Sequence, residues 1–158
     1  GYFTNLFPND PPKFIIMEAQ AADCLYRGAL AGDGAPRIVD GDLQTIMAGL
    51  ACGEPNTISW DILRNHTTAF VSCPDWVTAR GMRTLGAPEK GDPRVISGES
   101  GAVTTGLVET LMLDPEYAEL KELIGLDKTS SVLCFSTEGD TDPDQYRRIV
   151  WEGEYPTC

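Results

Sequence analysis

The sequence has little of what charge-driven or metal-driven functions need. It carries one histidine and only 12 basic residues against 24 acidic ones, for a net charge of −12. A nucleic-acid surface must displace counterions with positive charge, so that class of partner is not expected. His66 has no His or Cys neighbour at ligand spacing and reads as a surface or helix-end residue, so no metal site is expected. No apolar run approaches the ~20 residues of a membrane-spanning helix, so no membrane partner is expected. No charged-then-apolar leader with a cleavage site opens the chain. The expectation is a soluble, cytoplasmic protein. The cysteines at 24, 52, 73, 134 and 158 are odd in number and lack the close spacing of a zinc knuckle or a redox pair. They read as small buried hydrophobes. Lysines are scarce too. Lys13 lies in a proline-rich turn, Lys90 in a Gly/Pro loop, Lys121 on a polar helix face and Lys128 in a loop. All four read as solvated surface residues, because a nucleophilic lysine needs burial or a cationic neighbour to lower its pKa.

What is present is an alternation of short apolar runs and amphipathic stretches. The 158 residues fit a single α/β domain or segment over 1–158. Tyr2, Phe3, Leu6 and Phe7 recur at helical spacing with no cap before them, and Pro8, Pro11 and Pro12 follow. Residues 1–7 therefore read as the end of a helix whose beginning is missing. Strands are predicted at Phe14–Met17, Pro36–Val39, Ala69–Ser72 and Val132–Phe135, the last the clearest, with Arg94–Ile96 extended. Helices are predicted at Ala22–Leu30, near Thr57–Arg64 with Ile58 and Ile62 on one face, and from Pro74 to Gly86. Others follow at Ser100–Met112 with Val103, Leu107 and Leu111 on one stripe, from Pro115 to Gly125 with Tyr117, Leu120, Leu123 and Ile124 inward, and from Asp142 through Val150. This is an α/β pattern with a mainly parallel sheet flanked by helices. Parallel strands present ligands at their carboxyl ends.

Three segments carry the candidate chemistry. In Arg94 to Ala102 an extended stretch enters a helix whose first turn is rich in small residues. Such a start exposes unpaired N–H groups and a positive dipole end, or else is simply a capped helix with glycine for close packing. In Ser136-Thr137-Glu138-Gly139-Asp140-Thr141-Asp142, hydroxyls and carboxylates follow an apolar strand, where they could meet a ligand or form an ordinary loop with Asp142 as N-cap. The stretch Gly41 to Pro55 is rich in Gly and Ala, which lets backbone approach a flat ligand, or equally makes a flexible loop or a tightly packed helix.

Thr45 to Pro55, Ile96 to Ala102 and Ser136 to Asp142, together with Ile149-Val150-Trp151-Glu152-Gly153, resemble the C-terminal part of the diaminopropionate ammonia-lyase family. The similarity runs in order along essentially the whole chain. The resemblance implies a fold-type II pyridoxal-phosphate enzyme, a carbon–nitrogen lyase of amino-acid degradation. Its members convert 2,3-diaminopropionate to pyruvate and ammonia by α,β-elimination. It implies an amino-acid substrate, a homodimer, and an N-terminal part of the same enzyme carrying the Schiff-base lysine and the glycine-rich phosphate cradle. No lysine here suits that role, so this chain alone is expected to be inactive and to hold no cofactor. By the same resemblance, Ser136, with Thr137 as its near alternative, accompanies the pyridine nitrogen. Glu99, Ser100 and Gly101 line the pocket at a helix start, and Met47, Ala48, Gly49 and Leu50 lie beside the ring. Where related enzymes often show Glu-Pro after the first strand, this chain has Glu18-Ala19. A cation site there would need about six oxygen ligands. The alternatives are a noncatalytic α/β binding or interaction module and a threonine/serine dehydratase-like enzyme.

Cys24, just after the first strand, and Cys52, at the end of the small-residue loop, are both expected to project toward the carboxyl edge of the sheet. They are expected to lie close together there, and a disulfide between them is one outcome of that proximity. The reducing cytoplasm argues against a permanent bridge.

Overall fold

Two parallel strands form the centre of the chain in a computed structural model that describes residues 1–157. Strand β1 (Phe14–Ala19) pairs with β2 (Thr67–Cys73), with Ile15 opposite Ala69 and Ala19 opposite Cys73. A parallel pair needs a long crossover. Here it contains α2 (Cys24–Ala31), a 3₁₀ turn at Ala48–Leu50 and α3 (Thr57–His66). A short helix α1 (Tyr2–Leu6) precedes β1. After β2 come α4 (Asp75–Gly86), α5 (Glu99–Leu113), α6 (Ala118–Ile124) and α7 (Pro143–Val150). The α/β class with a parallel sheet holds, with a sheet of only two strands.

Helices α4 and α5 are the structural backbone. They touch at glycines: a Cβ on Gly81 would lie 2.1 Å from the Ala102 carbonyl oxygen, and one on Gly106 would lie 1.9 Å from that of Val77. Two helices can approach this closely only where side chains are absent. The predicted stripe Val103, Leu107 and Leu111 is buried against the sheet, in one cluster with Ala19, Met47, Cys73 and Val77. A second cluster, Ala79, Met82, Ala102, Tyr146 and Ile149, docks α7 on the other side of the pair. Asn56 caps α3 by accepting from the Ser59 amide at 2.9 Å, and Asp142 caps α7 by accepting from that of Gln145 at 3.0 Å. Gly125 ends α6 in the left-handed region at φ 68°.

Several expectations need correction. Pro36–Val39 and Val132–Phe135 are not strands. A strand exists only with a ladder partner, and these segments have none among the described residues. Val132, Leu133 and Phe135 are instead 51%, 67% and 59% exposed. Ile58 and Ile62 share one face of α3, as expected, and it is the exposed one; the buried residue of α3 is Trp60, which lies over Gly28 and donates to the Gly34 carbonyl at 2.9 Å. Leu123 is exposed while Ile124 is buried. Lys13 is not merely solvated, because its ammonium donates to the Ile124 carbonyl at 2.8 Å and closes the end of α6. Of the cysteines, Cys24 and Cys73 are buried and Cys134 is half-buried, but Cys52 is exposed; Cys158 lies outside the described residues. No described helix is long and apolar enough to cross a membrane.

Candidate functional site

The three motif segments converge at the amino end of α5, beside the carboxyl ends of both strands. The Gly41–Pro55 loop reaches this place because Asp75, the first residue of α4, holds it. Its carboxylate accepts from the Thr45 hydroxyl at 2.5 Å and from the Ile46 amide at 3.3 Å. The Met47 side chain is then fully buried, packed with Ala19 and Cys73, the last residues of β1 and β2. Its burial anchors the loop, and Ala48 and Gly49 remain exposed with Leu50 half-buried. The Gly49 amide donates to Ser100 Oγ at 3.0 Å, and a Cβ on Gly49 would lie 2.8 Å from that oxygen. The glycine is thus needed for contact with α5.

The third segment docks on the same helix start. The Gly98 amide donates to the Glu138 carbonyl at 3.0 Å, and the Ser100 amide donates to the Glu138 carboxylate at 3.1 Å. Ser136 donates to Ser97 Oγ at 2.8 Å. Gly98 and Gly101 allow this approach: a Cβ on Gly101 would meet the Thr137 amide nitrogen at 2.8 Å and both Ser136 Cα and Ser97 Oγ at 3.0 Å. Ser97, Glu99, Ser100 and Gly101 are buried, whereas Ser136 and Thr137 are exposed. Glu99 accepts from the Gln145 side-chain amide at 3.0 Å, tying α7 to the cluster, and the Thr78 hydroxyl donates to the Glu99 carbonyl.

This geometry bears on what the site can hold. Ser136 and Thr137 present neutral hydroxyls at an exposed edge, with Ala48 and Gly49 close by across Ser100, which fits a flat heteroaromatic ring offering one acceptor or donor. An anion such as phosphate does not fit the α5 amino end, because the Glu138 carboxylate already takes the Ser100 amide and would repel it. The helix start is therefore capped from within. Ser97, Glu138, Gln145 and Asp75 frame the site without having been singled out in the sequence. Ser97 and Glu138 lie inside the motifs, but nothing in a linear sequence distinguishes a buried framing residue from its exposed neighbour.

The turn after β1 is also satisfied internally. The Glu18 carboxylate accepts from the amides of Leu25 at 3.0 Å and Tyr26 at 2.7 Å, and from the Cys24 thiol at 3.5 Å. It thus satisfies free amides at the amino end of α2, whose N-cap position is Asp23. Burial, opposed by those donors, raises its pKa above the ordinary value. Among the described residues no group of three or more His, Cys, Asp or Glu could hold a metal ion. Cys24 and Cys52 are free thiols, so the structure holds no bridge between them. Their segments do adjoin, since Cys24 Sγ lies 3.5 Å from the Cys52 carbonyl oxygen. Burial, and then Glu18, push the Cys24 thiol up to about 12, which keeps it protonated and disfavours the thiolate that bridging needs.

No family model matches the chain. It is 50% identical over 155 residues to diaminopropionate ammonia-lyase of Escherichia coli (strain K12), an alignment covering 98% of this chain and 38% of that protein. The chain thus spans about two-fifths of the length of the curated relative it matches. A crystal structure of the Escherichia coli enzyme in complex with D-serine superposes with a TM-score of 0.86 at 44% identity, over 98% of this chain and 38% of that one. The same enzyme in complex with an aminoacrylate–PLP azomethine reaction intermediate gives 0.79 at 51% identity, over 89% of this chain and 35% of that one. A threonine deaminase from T.th., at 19% identity and a TM-score of 0.56, shares the fold over 67% of this chain and 36% of its own.

Proposed function

We propose that this chain, a homologue of one segment of diaminopropionate ammonia-lyase, is the C-terminal part of such an enzyme and forms one wall of its pyridoxal-phosphate pocket. The observation that carries the reading is the meeting of the three motif loops at the amino end of α5, with the Ser136 hydroxyl exposed and fastened from behind. The reaction is the α,β-elimination of 2,3-diaminopropionate to pyruvate and ammonia, and pyridoxal phosphate, when bound, supplies the electron sink.

The chain's own residues have narrower tasks. Ser136, with Thr137 beside it, offers a neutral hydroxyl to the pyridine nitrogen. A neutral partner leaves that nitrogen largely without a proton, which suits elimination. Ala48, Gly49 and Leu50 lie beside the ring, held by buried Met47, and Glu99, Ser100 and Gly101 build the floor beneath. The phosphate cradle and the Schiff-base lysine come from the N-terminal part. The exposed apolar run Val132, Leu133 and Phe135 supports this division, because it offers an unpaired edge to further strands. A cytoplasmic homodimer acting on an amino-acid substrate completes the reading.

Ammonia release by the full-length enzyme tests it. Turnover of 2,3-diaminopropionate well above that of serine and threonine is expected. Preference for serine or threonine would make it a dehydratase, and no turnover of any of the three would favour a noncatalytic module. The chain by itself, mixed with pyridoxal phosphate, is expected to lose all visible absorbance on dialysis. A stoichiometric yellow species mapped to one of its four lysines would overturn the assignment.

A further inference from the structure

We propose that Ser97 is a positioning residue: a buried second hydroxyl that turns together with Ser136 and so supports the hydrogen bond Ser136 donates to the cofactor. The inference rests on the reading of Ser136 as the partner of the pyridine nitrogen.

A serine hydroxyl has one proton and two acceptor positions. In the structure Ser136 spends its proton on Ser97 Oγ at 2.8 Å, with the Glu138 carbonyl a poor second acceptor at 3.4 Å. Ser97 spends its own proton on the Gly98 carbonyl at 3.2 Å, longer than an ordinary hydroxyl bond. That carbonyl does not depend on Ser97, because it also accepts from the Ala102 amide at 3.0 Å. When a nitrogen lone pair is presented on the exposed side, Ser136 must turn its proton outward. The 2.8 Å contact would then hold two oxygens with no proton between them, unless Ser97 swings its proton from Gly98 to Ser136. Both hydroxyls stay bonded only if they rotate together. Linked hydroxyls polarise one another, so a donating Ser97 makes Ser136 a better donor. Water cannot readily replace Ser97: it is fully buried, and a Cβ on Gly101 would already lie 3.0 Å from its oxygen.

The test is a double-mutant cycle in the full-length holoenzyme, read by the dissociation constant for pyridoxal phosphate and by the division of the bound cofactor's absorption between its visible and near-ultraviolet bands. Ser97→Ala should weaken binding about three- to tenfold, the worth of one neutral hydrogen bond, and change the band ratio. Ser97→Cys keeps nearly the same bulk with a weak donor and should shift both readouts the same way, which covers the case of an alanine variant that folds poorly. In a Ser136→Ala background neither substitution should have any further effect on the spectrum. Equal shifts in both backgrounds would mean that Ser97 acts only by holding the loop, and no shift from either variant would remove its role; either result overturns the inference. If Ser136→Ala alone leaves binding and spectrum unchanged, the assignment of Ser136 itself has failed, a distinct result.

Discussion

At Gly101 a single added methyl group would meet a backbone nitrogen, a Cα and a buried hydroxyl, all within 3.0 Å. Gly101→Ala should therefore push the Ser136–Thr137 loop off α5. We expect a loss of about 1–3 kcal/mol in stability and weaker cofactor binding in the full-length enzyme, followed by denaturation and absorbance titration. Gly139, in the same motif but with open space around its Cβ position, is the control: Gly139→Ala should leave both unchanged. Thiol chemistry is as residue-specific. Burial pushes Cys24 and Cys73 up to about 12, whereas Cys52 is exposed. With an alkylating reagent at neutral pH, Cys52 should react first, and Cys24 and Cys73 only on unfolding. Peptide mapping that finds Cys24 labelled as fast as Cys52 would contradict this. Glu18 adds a pH dependence. Burial raises its folded pKa above the ordinary 4.5, so the fold favours the protonated acid. That contribution is complete below the ordinary value and is lost as pH rises through the raised one. Glu18→Gln, neutral at every pH, should flatten denaturant stability across that window.

At the scale of elements, the α4–α5 pair decides whether the site exists. Its helices meet with Gly106 against the Val77 carbonyl and Gly81 against that of Ala102, closer than any side chain allows. The added Cβ of Gly106→Ala meets rigid backbone, so the helices must separate. A cost at or above the upper end of the usual range of about 1–3 kcal/mol for overpacking is expected, seen as a lower thermal midpoint. Because Thr78 on α4 holds the Glu99 carbonyl at the start of α5, the site residues should be disturbed along with the core. The ends of the elements behave more locally. Asn56→Ala removes one side-chain cap from α3 and should cost about 1 kcal/mol without touching the motif loops.

The whole molecule shows a mismatch between its apolar content and its two-stranded sheet. Val132, Leu133 and Phe135 have the composition of a buried strand, yet they are exposed and none of their amides has a backbone partner among the described residues. If this chain is one part of a larger α/β enzyme, those amides should exchange rapidly in the chain alone. They should become strongly protected in the full-length protein, where a ladder partner is available. Equal exchange in both would show that the segment is a surface loop in its final setting.

Local patterns were enough to reveal the α/β alternation, the apolar stripe of α5, the Asp142 cap and the three motif segments. Helical periodicity, capping chemistry and turn glycines act within a few residues, so they can be read along the chain. The same local reading failed for Val132–Phe135, because a strand is made by its neighbour, and it placed Leu123 inward with Ile124 although only Ile124 is buried. The segments that hold Ser136, Ser100 and Gly49 stood out locally, and the family resemblance singled out those residues, but neither could say that the three segments meet. Tertiary structure alone decided that meeting, through Asp75 holding Thr45, Glu138 capping α5 and Ser97 lying behind Ser136. Each of these contacts joins residues about 30 to 39 positions apart. Contacts of that span depend on how two helices pack across their glycines, which the linear pattern of apolar and polar residues does not encode.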